Sequence, residues 1–84
     1  MKLILGFKTS AGVFYIGEDQ DGRFHPIYDD ESLGSYSTIW QATEDLALNA
    51  TFSAVHAVSG ELLDTSKLGI PADPSEWISA GKLG

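Results

Sequence analysis

The 84-residue chain has no cysteine and only three prolines, and its five basic residues face twelve acidic ones. The missing cysteine excludes disulfides, cysteine-bound zinc, iron–sulfur clusters and thiol catalysis. Small secreted domains lean on disulfide staples, so a chain this short without them is expected in the cytoplasm. Long apolar runs are absent too, and no stretch approaches the ~18 residues of a membrane span. The N-terminal "MKLILGFK" is broken at Gly6 and closed by Lys8. That falls short of the roughly 7–15 apolar residues of a signal-peptide core. A soluble domain with no membrane contact is expected.

Bases are scarcest where a polyanion would need them. The formal charge is −7, and between Glu18 and Asp64 there are ten acids and one base, Arg23. Lys2, Lys8, Lys67 and Lys82 lie towards the two ends. A nucleic-acid binder needs a basic groove or stripe, and these scattered cations do not assemble one. Anionic membranes are disfavoured for the same reason. A basic protein partner is electrostatically possible, although an acidic surface is common in soluble proteins and needs no such partner to explain it.

What is present suits one small core. Apolar residues make up 43% of the chain, with four Phe, three Tyr and two Trp supplying bulk, enough for a single domain over 1–84 and no second one. "KLILGFK" alternates with period two, placing Leu3, Leu5 and Phe7 on one face. "TSAG" turns the chain, and "VFYIGE" is rich in β-branched and aromatic residues. "DQDG" is the strongest turn signal, because Asp-Gly tolerates the positive φ of a tight hairpin. "RFHPIYD" reads as a third strand, at an edge or kinked at Pro26, which has no N–H for a ladder.

Helix chemistry follows a polar loop. Thr38 and Gln41 form a capping box, and Ile39, Ala42, Leu46 and Ala47 form one apolar stripe. Asn49 suits a left-handed C-cap. Residues 51–58 suit a fourth strand, which Ala54 and Ala57 weaken. Asp64 suits the cap of a short turn through Lys67, before Gly69 and Pro71 stop it. Asp73, Pro74 and Glu76 mark the start of a short helix over about 74–80. The predicted fold is α+β: a three- to four-stranded antiparallel sheet, built on an N-terminal meander of about 2–8, 13–18 and 23–29, with the main helix (about 39–49) on one face.

The most chemical stretch, "EDQDGRFHPIYDD", does not make an EF-hand. A calcium loop turning on Gly22 would need ligands at Gly17 and Tyr28. Its acids suit a solvated hairpin tip. His25 and His56 supply at most half of a zinc site, with Asp29 or Asp30 as added ligands. No serine stands in G-x-S-x-G, no P-loop occurs, and the acid pairs Asp29/Asp30 and Glu44/Asp45 are sequence neighbours whose side chains diverge. The remaining feature is the sheet face opposite the helix, expected to present Ile4, Val13, Tyr15, Arg23, His25 and Ile27. A half-covered sheet of this kind is a recognition or dimerisation surface.

The stretch "GEDQDGRFHPIYDDESLGSYSTIWQATEDLALN" (Gly17–Asn49) resembles the N-terminal half of HicB-type antitoxins. There a D-G hairpin leads through a glycine-containing loop to a helix that starts on Ser or Thr and carries an acidic, alanine-rich pattern. Asp21-Gly22, Gly34, Thr38, Ala42, Glu44 and Leu46 occupy comparable places. The likeness covers under half the chain. It departs from the family in lacking a proline-rich stretch before the loop and a DNA-binding segment after it.

The functional expectation is a small acidic cytoplasmic protein of bacterial type, acting as a non-enzymatic protein-interaction module. Its interaction surface is expected at Tyr15, Arg23, His25 and Ile27, and its partner is expected to be another protein or a second copy of the chain. No catalytic residue, cofactor, metal, nucleic acid or membrane enters this reading. The alternative is an antitoxin- or inhibitor-like protein whose acidic surface blocks a basic partner site. A third, lesser reading is a metal or small-ligand binder using His25 and Asp29.

Overall fold

Tight turns organise the first half of the chain, and the first two are built by a side chain that satisfies nearby backbone. The computed structural model describes residues 1–49, 54–55 and 59–82. Strands β1 (Lys2–Thr9) and β2 (Gly12–Glu18) meet at a hairpin where Thr9 Oγ1 donates to the Gly12 carbonyl at 2.7 Å and accepts from Ala11 N at 3.1 Å. Between β2 and β3 (Phe24–Tyr28), Asp19 Oδ1 accepts from the amides of Asp21 and Arg23. Gly22 there holds φ +76°, a conformation that glycine adopts without steric cost. The third turn joins β3 to β4 (Glu31–Ser32) through Asp29 and Asp30, both at positive φ, as a two-residue hairpin of type I′ demands.

The main sheet has five antiparallel strands in the order β4-β3-β2-β1-β7, where β7 is Ile78–Ser79. Pro26 lies within this sheet, opposite Ile16. Its carbonyl accepts from Leu33 N, so its missing donor also faces the outer rim, where β4 is only two residues long. This corrects the expectation of an edge strand: β3 is the second strand of the sheet, and the short β4 outside it leaves the Pro26 nitrogen without a ladder partner to satisfy. Phe24 and Tyr36 extend the same rim by exchanging two backbone hydrogen bonds.

One helix covers one face. Helix α1 (Ile39–Leu48) begins with the Thr38–Gln41 capping box and ends on Asn49 at φ 53°, both as the sequence suggests. Its buried Ala42 and Leu46 meet Phe14, Ile16 and Tyr28 from the sheet and Ile70 and Trp77 from the C-terminal segment. The Phe14 and Tyr28 rings stack at 4.6 Å between centroids, and Trp77 tilts against Phe7 at 5.8 Å. Buried hydroxyls tie the layers together. Thr43 Oγ1 donates to the Ala72 carbonyl at 2.7 Å, and Thr65 Oγ1 to the Leu46 carbonyl at 2.5 Å.

The alternation expected in β1 breaks at Ile4. Leu3 pairs with Gly17 but Leu5 pairs with Ile16, so a β-bulge at Ile4 inserts one extra residue. Leu5 and Phe7 share the core face with Ile16 and Phe14, and Ile4 packs against the same core. Leu3 falls on the opposite face. Both assignments correct the expectation that Leu3 shares the helix-covered face and that Ile4 lies opposite.

The C-terminal segment also differs from expectation. Asp73 caps and Pro74 starts a helical turn, but this is a 3-10 turn over Pro74–Glu76. Trp77 is already extended, its indole N–H donates to the Pro71 carbonyl at 2.9 Å, and Ile78 pairs with Gly6. Long-range strand pairing and burial of Trp77 override the local helix preference. Asp64 does cap a short turn, Thr65–Lys67. Of the stretch 51–58, Ala54–Val55 form a strand, β5, paired with β6 (Leu62–Leu63); the rest lies outside the described residues.

Candidate functional site

The face of the main sheet opposite α1, open among the described residues, has its members set by strand register. Ile27 stands opposite both Ser32 and Tyr15, Tyr15 opposite Gly6, and Gly6 opposite Ile78. These residues form one row across five strands, about 19 Å long at ~4.8 Å per strand. A second row holds His25, Gly17 and Leu3, and a third holds Val13 and Lys8. Leu3 is 44% exposed and Ile78 45%, while Val13, Tyr15 and Ile27 are half-buried. Gly17 permits a close approach here: a Cβ on it would lie 2.7 Å from Met1 Sδ and 2.9 Å from Ile27 Cδ1. No aspartate or glutamate occupies a position in these three rows.

Tyr15, His25 and Ile27 therefore lie together on the expected face, and Arg23 does not work with them. It precedes β3, and its guanidinium turns to the loop before α1, where Nε donates to Ser35 Oγ at 2.5 Å and Nη2 to the Ser35 carbonyl at 3.0 Å. Arg23 thus lines a second feature, a groove of about 550 Å³ whose walls include Tyr36, Trp40, Glu44, Asp45 and Leu48. Trp40 is 54% exposed and Leu48 62%. The Tyr36 hydroxyl donates to Asp45 Oδ2.

His25 sits at the rim of the sheet face in a polar chain. Its Nε2 meets Asp19 Oδ2 at 2.7 Å and its Nδ1 meets Ser32 Oγ at 2.9 Å, while Ser32 Oγ donates to the Gly34 carbonyl at 2.9 Å. An ionised carboxylate only accepts, and serine has one hydrogen, so all three bonds form together when both ring nitrogens carry hydrogen. The His25 hydrogen bond, followed by the Arg23 amide, holds the Asp19 carboxyl below its ordinary value. The serine hydrogen is directed at a carbonyl, so this chain is a clasp joining the hairpin tip to β4.

The companion proposed for His25 from sequence, Asp29, is instead a turn residue at φ 52°, and His56 lies outside the described residues. Among the described residues, no group of three or more histidine, aspartate or glutamate side chains is placed to hold a metal ion. Nor is any helix there long and apolar enough to cross a membrane.

Sequence reasoning missed Leu3, Ile78, Trp40 and Leu48 as surface residues. Trp40 and Leu48 fall off the helix's apolar stripe, and that signal was available. The strand pairing of Ile78 had no local signal.

No family model, curated protein or solved structure matches this chain. The likeness of Gly17–Asn49 to the antitoxin pattern thus carries no family assignment.

Proposed function

We propose that this protein is a small non-enzymatic interaction module that works through the open face of its main sheet, with a second copy of the chain docked there. The observation that carries this reading is the run of Leu3, Tyr15, Ile27 and Ile78 over sheet rows without a carboxylate, on a chain of formal charge −7. Two such molecules repel each other through most of their surface, whereas the acid nearest these rows, Asp19, is paired with His25 at the rim. At about 3.3 Å per residue the three rows span about 13 Å, so a footprint of about 19 by 13 Å is below the size of a standard interface and fits weak, transient pairing. A concentration series of amide NMR spectra tests it. Shifts that grow with concentration at Leu3, Tyr15, Ile27 and Ile78 are expected, and concentration-independent spectra contradict the reading.

The groove beside α1 supports a second reading, in which an acidic surface covers a basic site on another protein, as an inhibitor or antitoxin would. The observation favouring it is that Glu44 and Asp45 lie between the exposed Trp40 and Leu48 along α1.

A further inference from the structure

We propose that the groove beside α1 docks a basic amphipathic helix of a partner protein, an inference that rests on the second, charge-led reading and gives it a location. Trp40, Glu44 and Leu48 recur at i, i+4 and i+8, so they form one ridge on the outer side of the helix. The ridge is about 12 Å long at 1.5 Å per residue. Its ends are apolar and exposed, and its middle is a carboxylate. The Tyr36 ring stands beside it, anchored on Asp45. Arg23, the cation that lines this groove, directs Nε and Nη2 at Ser35.

Charge selects the occupant. Two copies meeting ridge to ridge would set Glu44 against Glu44, with Asp45 close by, and like charges so placed oppose docking. Nucleic acid and anionic lipid are repelled by the same carboxylates. A helix bearing apolar side chains two turns apart with a lysine or arginine between them matches the ridge. Its apolar groups cover Trp40 and Leu48, its cation reaches Glu44, and interdigitated i±4 ridges bring the axes within about 8–10 Å. A cation beside the Trp40 ring face adds to the attraction.

The probe is a synthetic helix of about 18 residues, long enough to hold helical structure, with leucine and lysine on one face. A glutamate-for-lysine version and a scrambled sequence serve as controls. Trp77 is 6% exposed and Trp40 54%, so a blue shift of emission on binding reports Trp40. Amide NMR then locates the contact. The lysine peptide is expected to shift the emission and the amides of residues 36–48, with neither control doing so. Glu44→Lys, on an exposed position, is expected to weaken binding about fivefold while leaving the circular dichroism unchanged. Equal binding by the scrambled peptide overturns the proposal. So do shifts centred on the Asp19–Arg23 hairpin, which would leave the charge-led reading standing with another location. Failure of the lysine peptide to bind overturns the inference and removes the support it draws from that reading.

Discussion

On the open face of the main sheet, Leu3 and Ile78 are exposed beside rows that hold no carboxylate; beside α1, Trp40 and Leu48 are exposed with Glu44 between them. Apolar exposure is similar in kind at the two places, and charge separates them. In the proposed reading, the sheet face accepts a neighbour as acidic as the chain itself. The groove, in the same reading, resists such a neighbour and attracts a basic one. If the proposal holds, where the carboxylates lie on an acidic protein directs its association more than the net charge does.

Placing carboxylates on the sheet face is the strongest way to break this difference. Leu3→Glu with Ile78→Glu sets like charges across the proposed dimer and is expected to weaken self-association by about a hundredfold or more. Both side chains are substantially exposed, so the fold is expected to survive, which circular dichroism checks. Next in size is Thr43→Val, which removes the buried hydroxyl donating to Ala72 and leaves that carbonyl without this donor. Denaturant unfolding should register a loss of about 1–2 kcal/mol, with neither surface's affinity altered. This variant separates damage to the scaffold from damage to either surface.

Salt sharpens the comparison with a smaller effect. Raising ionic strength from about 0.1 M to about 1 M shortens the screening length from ~10 Å to ~3 Å. Titrations at the two strengths are expected to show weaker peptide binding at the groove and dimerisation unchanged or slightly stronger. The smallest effect belongs to the clasp at the sheet rim. Asp19 has a folded-state pKa below its ordinary 3.8, so its stabilising contribution is present above that value and lost as pH falls through the folded pKa. Thermal melts across acidic pH should show a shallow decline that Asp19→Asn removes.

Much of the fold was legible because local chemistry and final structure agree. The Thr38–Gln41 box, the Asn49 cap, the Asp-Gly turn and the strand runs each satisfy backbone groups within a few residues. The failures arise where distant partners decide. Nothing in "KLILGFK" marks Ile4 as a bulge, because the extra residue exists only relative to β2. The Asp73–Glu76 signals predict a helix, yet Gly6 recruits Ile78 into the sheet from 72 residues away. Arg23 is in phase with His25 along the sequence, but the loop at Ser35 captures its guanidinium. His25 was read with Asp29 four residues on, whereas the hairpin folds Asp19 back onto it. Within the candidate surface, Tyr15, His25 and Ile27 were accessible from strand periodicity, and Leu3 and Ile78 required the register.

Sedimentation equilibrium of the wild type and the Leu3→Glu, Ile78→Glu variant, at low and high salt, tests the central claim most directly. The account requires a weak wild-type dimer that persists at high salt, and a folded variant that stays monomeric over the same concentrations. A wild type that is monomeric throughout, or a variant that dimerises as well as the wild type, would contradict it.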